Sequence, residues 1–437
     1  ASRFFSPLQK ALLNALDKAQ LQEAKSGAEK VLDEKLFAIE AFVPENKTAF
    51  LEEMLQGKAL TAELVVGEEM YPTYMENQGY SRVGEDLVHI YDTPSVEDPD
   101  PSLWVFWFFA VFYAMIVADA GYGFLYFLFA LFLQRKFPEW TGVKKRCRTL
   151  LMTISIFAMG WGVLTASYFG ITIGPDNPLT KISLVDQLAQ KKATYHLAAK
   201  DATYQEWLRL YPAIADARSS NEFFTIATTK HEGKVQYKAL NDFYDSILME
   251  IALIVGLIHL LCSFGKSARK NPSGVGWALA MIGGYLYFPK FLAAITILNF
   301  TGIIPPHIAY FLGSNLLWIG LSFAILASVW QNKLVGLFEI ANVIQVFADV
   351  LSYLRLYALG LAGMIMADTF NQIALSVGLL PFGWIILFVG HTTNISLGIM
   401  GGVIHGLRLN FLEWYHYCFE GGGRPFNPLK LLNKLGE

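Results

Sequence analysis

Residues 7–36 run PLQKALLNALDKAQLQEAKSGAEKVLDEKL, setting Leu8, Leu12, Leu16, Leu21 and Val31 among Lys, Glu and Gln. That spacing predicts an amphipathic or coiled-coil helix whose partner arm lies upstream. FAIEAFVP (37–44) predicts a short strand ending at Pro44. NKTAFLEEML predicts a helix capped by Asn46, and TAELVV a second strand, so 37–102 begins as a small α/β lobe. The stretch from Pro72 to Ser102, rich in Pro, Asp and Glu, is expected to be a linker.

From Leu103 the pattern changes to long apolar runs. Residues 103–134 exceed one typical crossing and are interrupted by Asp119, Gly121 and Gly123, which predicts two short crossings folded at that break. Further apolar segments at 149–173, 246–264, 274–298, 309–330, 334–371 and 381–415 bring the expected number to eight. The fold class is therefore a mainly α polytopic membrane protein of eight transmembrane helices, with a coiled-coil arm (1–36) and an α/β lobe and linker (37–102) in front. The transmembrane domain covers 103–437, with a long loop at 174–245. An even number of crossings returns both termini to one side.

Charge sharpens this picture. Hydrophobic residues make up 54% of the 437 positions and charged residues only 16%, below the share of about a quarter in soluble proteins. Before residue 102 there are 9 Lys and Arg against 19 Asp and Glu, and from there on 25 against 18. Lys144, Lys145, Arg146 and Arg148 follow the second predicted crossing, Lys266, Arg269 and Lys270 the fourth, Lys333 the sixth, and Arg424, Lys430 and Lys434 the eighth. All four groups fall on one side, which the positive-inside rule makes cytoplasmic, together with both termini. The turns near Thr301–His307 and Gly378–Pro381 lack Lys and Arg and lie opposite.

Other classes fall away. Cys147, Cys262 and Cys418 are too few and scattered for a disulfide framework or a zinc site, and no metal or cofactor is expected. There is no phosphate-binding loop, dinucleotide fingerprint, HExxH or GxSxG, and the charge balance gives no sign of a nucleic-acid partner. The start lacks a signal-peptide pattern and an initiator Met, so the chain is expected to be part of a longer protein.

The chemistry concentrates in the last two segments. The seventh carries Glu339, Asn342, Gln345, Asp349, Ser352 and Arg355. At 100° per residue, Gln345, Asp349, Ser352 and Arg355 share an arc of roughly 120°, a polar stripe that must face protein or water. Arg355 lies too deep for easy snorkelling, and its charge is permanent. Its bland explanation is a pairing with Asp349 or another helix's carboxylate for assembly. In the eighth segment Asn394, Gly398, Gly401, His405 and Arg408 recur at spacings of four and three, within an arc of roughly 80°. The glycines suit either ordinary helix packing or a moving interface, and His405 either a core position or a proton path. Glu413 lies further along the same segment. Asp119, Glu250, His259 and Lys290 are weaker candidates. Two deep cations on neighbouring helices call for an anion between them, from this chain or from another.

FADVLSYLRLYALGLAG (347–363), GGVIHGLRLNFLEWYHYCFEGGGRPFNPLK (401–430), ADAGYG (118–123) and WGVLTASYFG (161–170) resemble the membrane stator of rotary V-type and A-type ATPases, called subunit a or subunit I. PTYMEN (72–77) and FAIEAFVP look like the same family, so the resemblance spans the chain. It implies a cytoplasmic arm joined to eight transmembrane helices, two of them long and tilted, against a rotor ring of proteolipid (c or K) subunits. The family's essential arginine falls on Arg355 and its second on Arg408. It implies further partners in the peripheral stalk, a central-stalk adaptor and the lipid bilayer. Glu339, Gln345, Asp349, Ser352, Asn394, His405 and Glu413 become candidate linings of two ion half-channels, and Gly398 and Gly401 rotor-facing small residues. Where relatives carry Ser or Gln near the second arginine this chain has Gly401 and His405, and Gly363 stands where some members carry His.

The resemblance further implies a non-catalytic subunit that couples H⁺ or Na⁺ movement to rotation, in a plasma or inner membrane of a prokaryote or an endomembrane of a eukaryote. The competing assignment is a secondary ion-coupled transporter with a mid-membrane site, whose signature would be broken helices. The two most polar segments are expected to be long and uninterrupted, which favours a surface presented to another protein.

Overall fold

A computed structural model describes residues 2–31, 36–65, 71–171, 174, 177–178, 180–231, 234–268, 270–333 and 341–429. At the front, α1 (Ser2–Ser26) forms only part of the helix expected over 7–36: it stops after Ser26, and Val31 of the expected stripe lies in a strand, while Leu8, Leu12, Leu16 and Leu21 are exposed. The lobe behind it holds less regular structure than its pattern suggested. β1 (Glu29–Val31) pairs antiparallel with β2 (Leu36–Ala38), so the strand expected to reach Pro44 ends at Ala38, where its pairing partner ends. Residues 61–65 form no strand. Asn46 does not cap α2 (Thr48–Leu55). It lies in a 3₁₀ turn, Lys47 takes the cap position, and the Asn46 amide donates to Glu76 at 2.7 Å.

The expected linker is a packed element. β3 (Pro72–Thr73) leads to α3 (Tyr80–Val88), whose Val83, Leu87 and Val88 are buried. Gly84 is the contact point, since a Cβ there would stand 1.9 Å from the Ser102 carbonyl oxygen. The Asn77 amide donates to Asp100 at 2.6 Å, and Arg146 pairs with Asp86. Acidic residues that looked like solvated linker therefore tie the front of the chain to the helical bundle.

α4 (Ser102–Val117) and α5 (Ala120–Lys136) are separated at the predicted place. Ala118 takes a left-handed φ of 47°, and the Asp119 carboxylate caps α5 by accepting from the Tyr122 amide at 3.0 Å. α6 (Gly142–Leu164) stops short of the expected residue 173. The chain turns instead, and Ser167 Oγ (3.1 Å) and the Gly170 amide (3.3 Å) donate to the same Asp119 carboxylate.

The long loop is a helical lobe. α7 (Leu184–Ala199), α8 (Ala202–Leu210) and α9 (Ser220–Ile226) are each capped by the side chain before them, Ser183, Asp201 and Ser219. They are followed by a hairpin of β4 (Thr228–His231) and β5 (Lys234–Tyr237). Trp207, Ile214, Phe223 and Phe224 pack on Phe243 and Ile247 of α10 (Lys238–Ser267), so the first turns of that 30-residue helix belong to the lobe.

α11 (Ser273–Tyr287) ends eleven residues before the expected 298 and is followed by the short α12 (Ile297–Phe300). α13 (Pro306–Asn332) lies on α11 so closely that a Cβ on Gly283 would stand 2.3 Å from the Leu317 nitrogen. The seventh and eighth segments are each one long helical span, Asn342–Val377 and Pro381–Cys418, with a local change of pitch inside it. α14 (Asn342–Ser352) and α15 (Leu354–Val377) meet at Tyr353. α16 (Trp384–Arg408) widens into a π-helical stretch, Leu409–Tyr415, before α17 (His416–Cys418). β6 (Arg424–Pro425) then pairs parallel with β3.

Five helices are long and apolar enough to cross a membrane: Gly142–Leu164, Lys238–Ser267, Pro306–Gln331, Asn342–Val377 and Pro381–Cys418. Eight crossings require α4, α5 and α11 as well, with 16, 17 and 15 residues. At about 1.5 Å per residue each falls short of a hydrocarbon core of about 30 Å.

His196 predicts a pH dependence of the lobe's stability. It is buried, its Nδ1 lies 2.7 Å from Asp201, and its Nε2 has no hydrogen-bond partner among the described residues. Burial pushes its pKa below the usual histidine range, opposed by Asp201 and assisted by Lys192. The unfolded histidine binds its proton first, so this contribution to stability is present above about pH 6.5 and is lost as pH falls. Amide exchange in α7–α9 should accelerate, beyond the intrinsic rate change, between pH 7.5 and pH 5.5. His196→Gln should flatten the change, and an unaltered profile would remove His196 as its source.

Candidate functional site

Arg355 is the second residue of α15 and faces the π-helical stretch at the end of the chain. Its Nη1 lies 3.8 Å from Oε1 of Glu413, an ionic contact too long for a hydrogen bond. That Nη1 and Glu413 Oε2 are both buried without a hydrogen-bond partner among the described residues. The guanidinium side chain is 26% exposed and Glu413 only 5%. Glu413, rather than Asp349, is thus the carboxylate set against Arg355.

Asp349 is engaged elsewhere. Buried on α14, it accepts from Gln345 Nε2 at 3.0 Å and from the Tyr417 hydroxyl. Ser352 Oγ donates to the Asp349 backbone carbonyl at 2.8 Å. Gln345, Asp349, Ser352, Arg355 and Glu413 therefore form one polar seam between α14–α15 and the C-terminal helix. Glu339 lies outside the described residues.

One buried residue sets the register of this seam. His259 on α10 places Nδ1 2.8 Å from the Tyr353 hydroxyl, two residues before Arg355. Its ring stacks on Trp414, next to Glu413, with centroids 5.5 Å apart and planes within 5°. Fully enclosed by Phe108, Phe112 and these partners, His259 holds both sides of the ion pair in place.

Arg408 ends α16 exposed on the surface of the chain, with no ion pair among the described residues. His405 is partly buried with Nδ1 unpartnered, within electrostatic reach of both arginines. Gly398 and Gly401 turn inward, since a Cβ on Gly398 would meet Tyr126 and Val117 and one on Gly401 would meet Ile116. The outward face of α16 carries Leu397, Met400, Val403 and Ile404 instead.

A second polar network lies toward the other end of α16. Asn394 Nδ2 donates to the Tyr122 hydroxyl (3.0 Å) and the Gly363 carbonyl (2.8 Å). Tyr122 Oη lies 2.7 Å from His391 Nδ1, His391 Nε2 lies 3.1 Å from Asn371 Oδ1, and Asn371 Nδ2 donates to the Phe169 carbonyl at 2.8 Å. Asp119 adjoins it as the cap of α5. Glu250 stands apart, accepting from the Tyr285 hydroxyl and the Ile297 amide, each at 2.7 Å. Lys290 lies 5.9 Å from the Tyr287 ring centroid.

Sequence reasoning missed His391, Tyr122, Asn371 and Tyr417. His391 had a signal, because the stripe of fours and threes through Asn394 extends one step back to it. The tyrosines had none: they lie in apolar runs and become polar partners only by tertiary contact. Among the described residues no group of three or more His, Cys, Asp or Glu is arranged to hold a metal ion.

No family model matches the chain. The chain is 41% identical over 437 residues to the V-type ATP synthase subunit I of Chlamydia trachomatis, covering 97% of this chain and 66% of that protein. It is 26% identical over 445 residues to the A-type ATP synthase subunit I of Methanocaldococcus jannaschii, covering 97% of this chain and 59% of the other. Against the V-type ATP synthase subunit I of Borreliella burgdorferi the identity is 23% over 425 residues, with 91% and 60% covered. The chain thus spans just under two thirds of the length of the first of these relatives.

The geometry separates a structural polar contact from one free to be used. Tyr417→Phe removes one of the two side-chain donors to buried Asp349 and should lower stability against unfolding by about 1–3 kcal/mol. Arg355→Gln should cost less, because among the described residues the guanidinium has no hydrogen bond to lose. Thermal unfolding of the purified protein in detergent ranks the two. A larger loss for Arg355→Gln would make the arginine a structural pin.

Proposed function

Since the chain belongs to the subunit I family of V-type and A-type ATP synthases, we propose that it is the stator subunit of the membrane sector of a rotary ATPase, with Arg355 acting on carboxylates of a rotor ring. The observation that carries the proposal is a permanent cation set among apolar helices against a carboxylate too distant to hydrogen-bond it.

A rotor carboxylate must be neutral to pass through lipid, because a bare charge there costs several kcal/mol. Opposite Arg355 the ionised form is stabilised, its pKa falls, and it releases H⁺ or Na⁺. Glu413 serves as the resting counter-charge, held at 3.8 Å and therefore exchanged at little cost for the incoming carboxylate. The fixed cation also blocks a direct leak, because it raises the barrier for a cation passing between the two half-channels. Arg408, exposed at the end of α16, assists from the neighbouring helix.

Two separated polar groups support offset half-channels. One is the seam of Gln345, Asp349, Ser352 and Glu413, with His405 nearby. The other is the network around Asn394, with Asp119 at its edge. No hydrogen bond among the described residues joins them. In this proposal the chain crosses the bilayer eight times, with α4, α5 and α11 as short crossings. Both termini and the basic loops are cytoplasmic, and the lobe between α6 and α10 is on the opposite side. α1 extends toward the peripheral stalk as part of a stiff arm that resists the counter-torque, and a central-stalk adaptor joins the ring to the catalytic head.

In the assembled complex, Arg355→Gln should abolish ATP-driven ion transport while leaving assembly intact, and normal pumping by that variant would overturn the proposal. Arg355→Lys should also transport poorly, because a lysine lacks the planar fork and can lose its proton when buried. His405→Ala should shift the pH profile of transport, and an unchanged profile would reduce His405 to packing.

A further inference from the structure

We infer that His391 is a proton-exchanging residue of the half-channel around Asn394, held neutral as the Nε2–H tautomer with Nδ1 as the atom that takes the proton. The inference rests on the stator reading above and names the group through which its second half-channel works. His391 is the eighth residue of α16, and Arg408, seventeen residues on, ends that helix. At about 1.5 Å per residue the two are about 25 Å apart along the axis. Asn371 near the end of α15 and Phe169 just before the lobe meet His391, so the group lies toward the lobe and away from the arginines.

The tautomer follows from which groups can only accept. Backbone carbonyl oxygens donate nothing, so Asn371 must turn its Nδ2 to the Phe169 carbonyl and Asn394 its Nδ2 to the Gly363 carbonyl, each at 2.8 Å. Asn371 then presents Oδ1 to His391 Nε2 at 3.1 Å, and an amide oxygen only accepts. Nε2 therefore carries the hydrogen. A neutral imidazole has one such hydrogen, so Nδ1 is a lone pair, and the Tyr122 hydroxyl at 2.7 Å donates to it. The Tyr122 oxygen in turn accepts from Asn394 Nδ2 at 3.0 Å. Each bond has one possible polarity, fixed by two carbonyls from different segments.

Proton uptake is one local movement in this frame. H⁺ adds to the Nδ1 lone pair, the Tyr122 O–H swings aside, and the Tyr122 oxygen accepts from the new Nδ1–H while Nε2–H keeps its bond to Asn371. Loss of the proton reverses the movement. Both amides are pinned with Nδ2 donating and cannot pass a proton on, so it enters and leaves by the open edge of the half-buried ring. A counter-charge is at hand in Asp119, the buried cap of α5, which is within electrostatic reach. Asp119 accepts from the Tyr122 and Gly170 amides and from Ser167 Oγ, and has no cationic partner among the described residues. On α15, Asp368 precedes Asn371 by three residues and accepts from Gln372 at 2.5 Å. From the turn after α6 the Phe169 ring meets His391 edge-on, with centroids 6.0 Å apart.

Two measurements test this. Nitrogen-15 NMR of the histidine-labelled purified protein in lipid nanodiscs, with the His391 signal identified by its loss in His391→Gln, should show the Nε2–H form at about pH 8 and the doubly protonated form appearing toward about pH 5. The Nδ1–H form, or a signal unchanged across that range, would overturn the inference. In the assembled complex, His391→Gln keeps an amide able to bond both neighbours but unable to take a proton. It should lose one limb of the pH profile of ATP-driven transport, a limb that a merely structural histidine would leave in place. A wild-type profile in His391→Gln beside inactive Arg355→Gln sinks this inference alone, whereas normal pumping by both variants sinks the stator reading as well. If His391→Gln does not fold, Tyr122→Phe, which removes the donor to Nδ1, identifies the signal by displacing it, and the NMR titration decides.

Discussion

A guanidinium within an apolar bundle must be paid for in desolvation, and the surrounding helices are arranged around that constraint. Arg355 cannot shed its charge, so burial has to be offset by a counter-charge or by water. The chain supplies Glu413 at a distance that retains Coulomb attraction and forgoes hydrogen bonding. A bidentate pair would hold the arginine more firmly and would leave it committed. The loose pair keeps both charges tolerable and both exchangeable.

Such a pair needs a rigid frame, and His259 provides it from a third helix. Its contact with Tyr353 fixes the junction of α14 and α15, and its stacking on Trp414 fixes the π-helical stretch that carries Glu413. Asp349 is removed from competition by Tyr417 and Gln345. A second ionised partner beside Arg355 would have tightened the site and lowered its availability. The packed α3, the Arg146–Asp86 pair and the β3–β6 pairing then hold the acidic front of the chain against one end of the bundle.

The helix break at Asp119 was legible because Asp followed by two glycines interrupts an apolar run, and the structure uses that carboxylate as a cap. The polar stripes through Arg355 and through Asn394 were legible because periodicity is a property of one helix. The linker was misjudged because α3 is short and its buried Val83, Leu87 and Val88 are interspersed with charges that pair across the fold. The end of α11 was misjudged because an apolar run through Phe288–Ile297 need not stay helical, and Pro289 lies within it. The depth of Arg408 along its segment was legible from its apolar neighbours, but its surroundings were not. Depth along a segment says nothing about which face is covered, and that face is open.

The amino-acid sequence by itself determined the membrane class, the placement of basic loops, the break before α5 and the apolar setting of Arg355, since each is set by local composition and spacing. Only the tertiary structure decided that Glu413 rather than Asp349 faces Arg355, that His259 registers the two, and that the glycines of α16 turn inward. Those outcomes depend on distances between helices far apart in the chain. Helical periodicity fixes the direction of a side chain around its own axis, but not which neighbouring helix stands there to meet it.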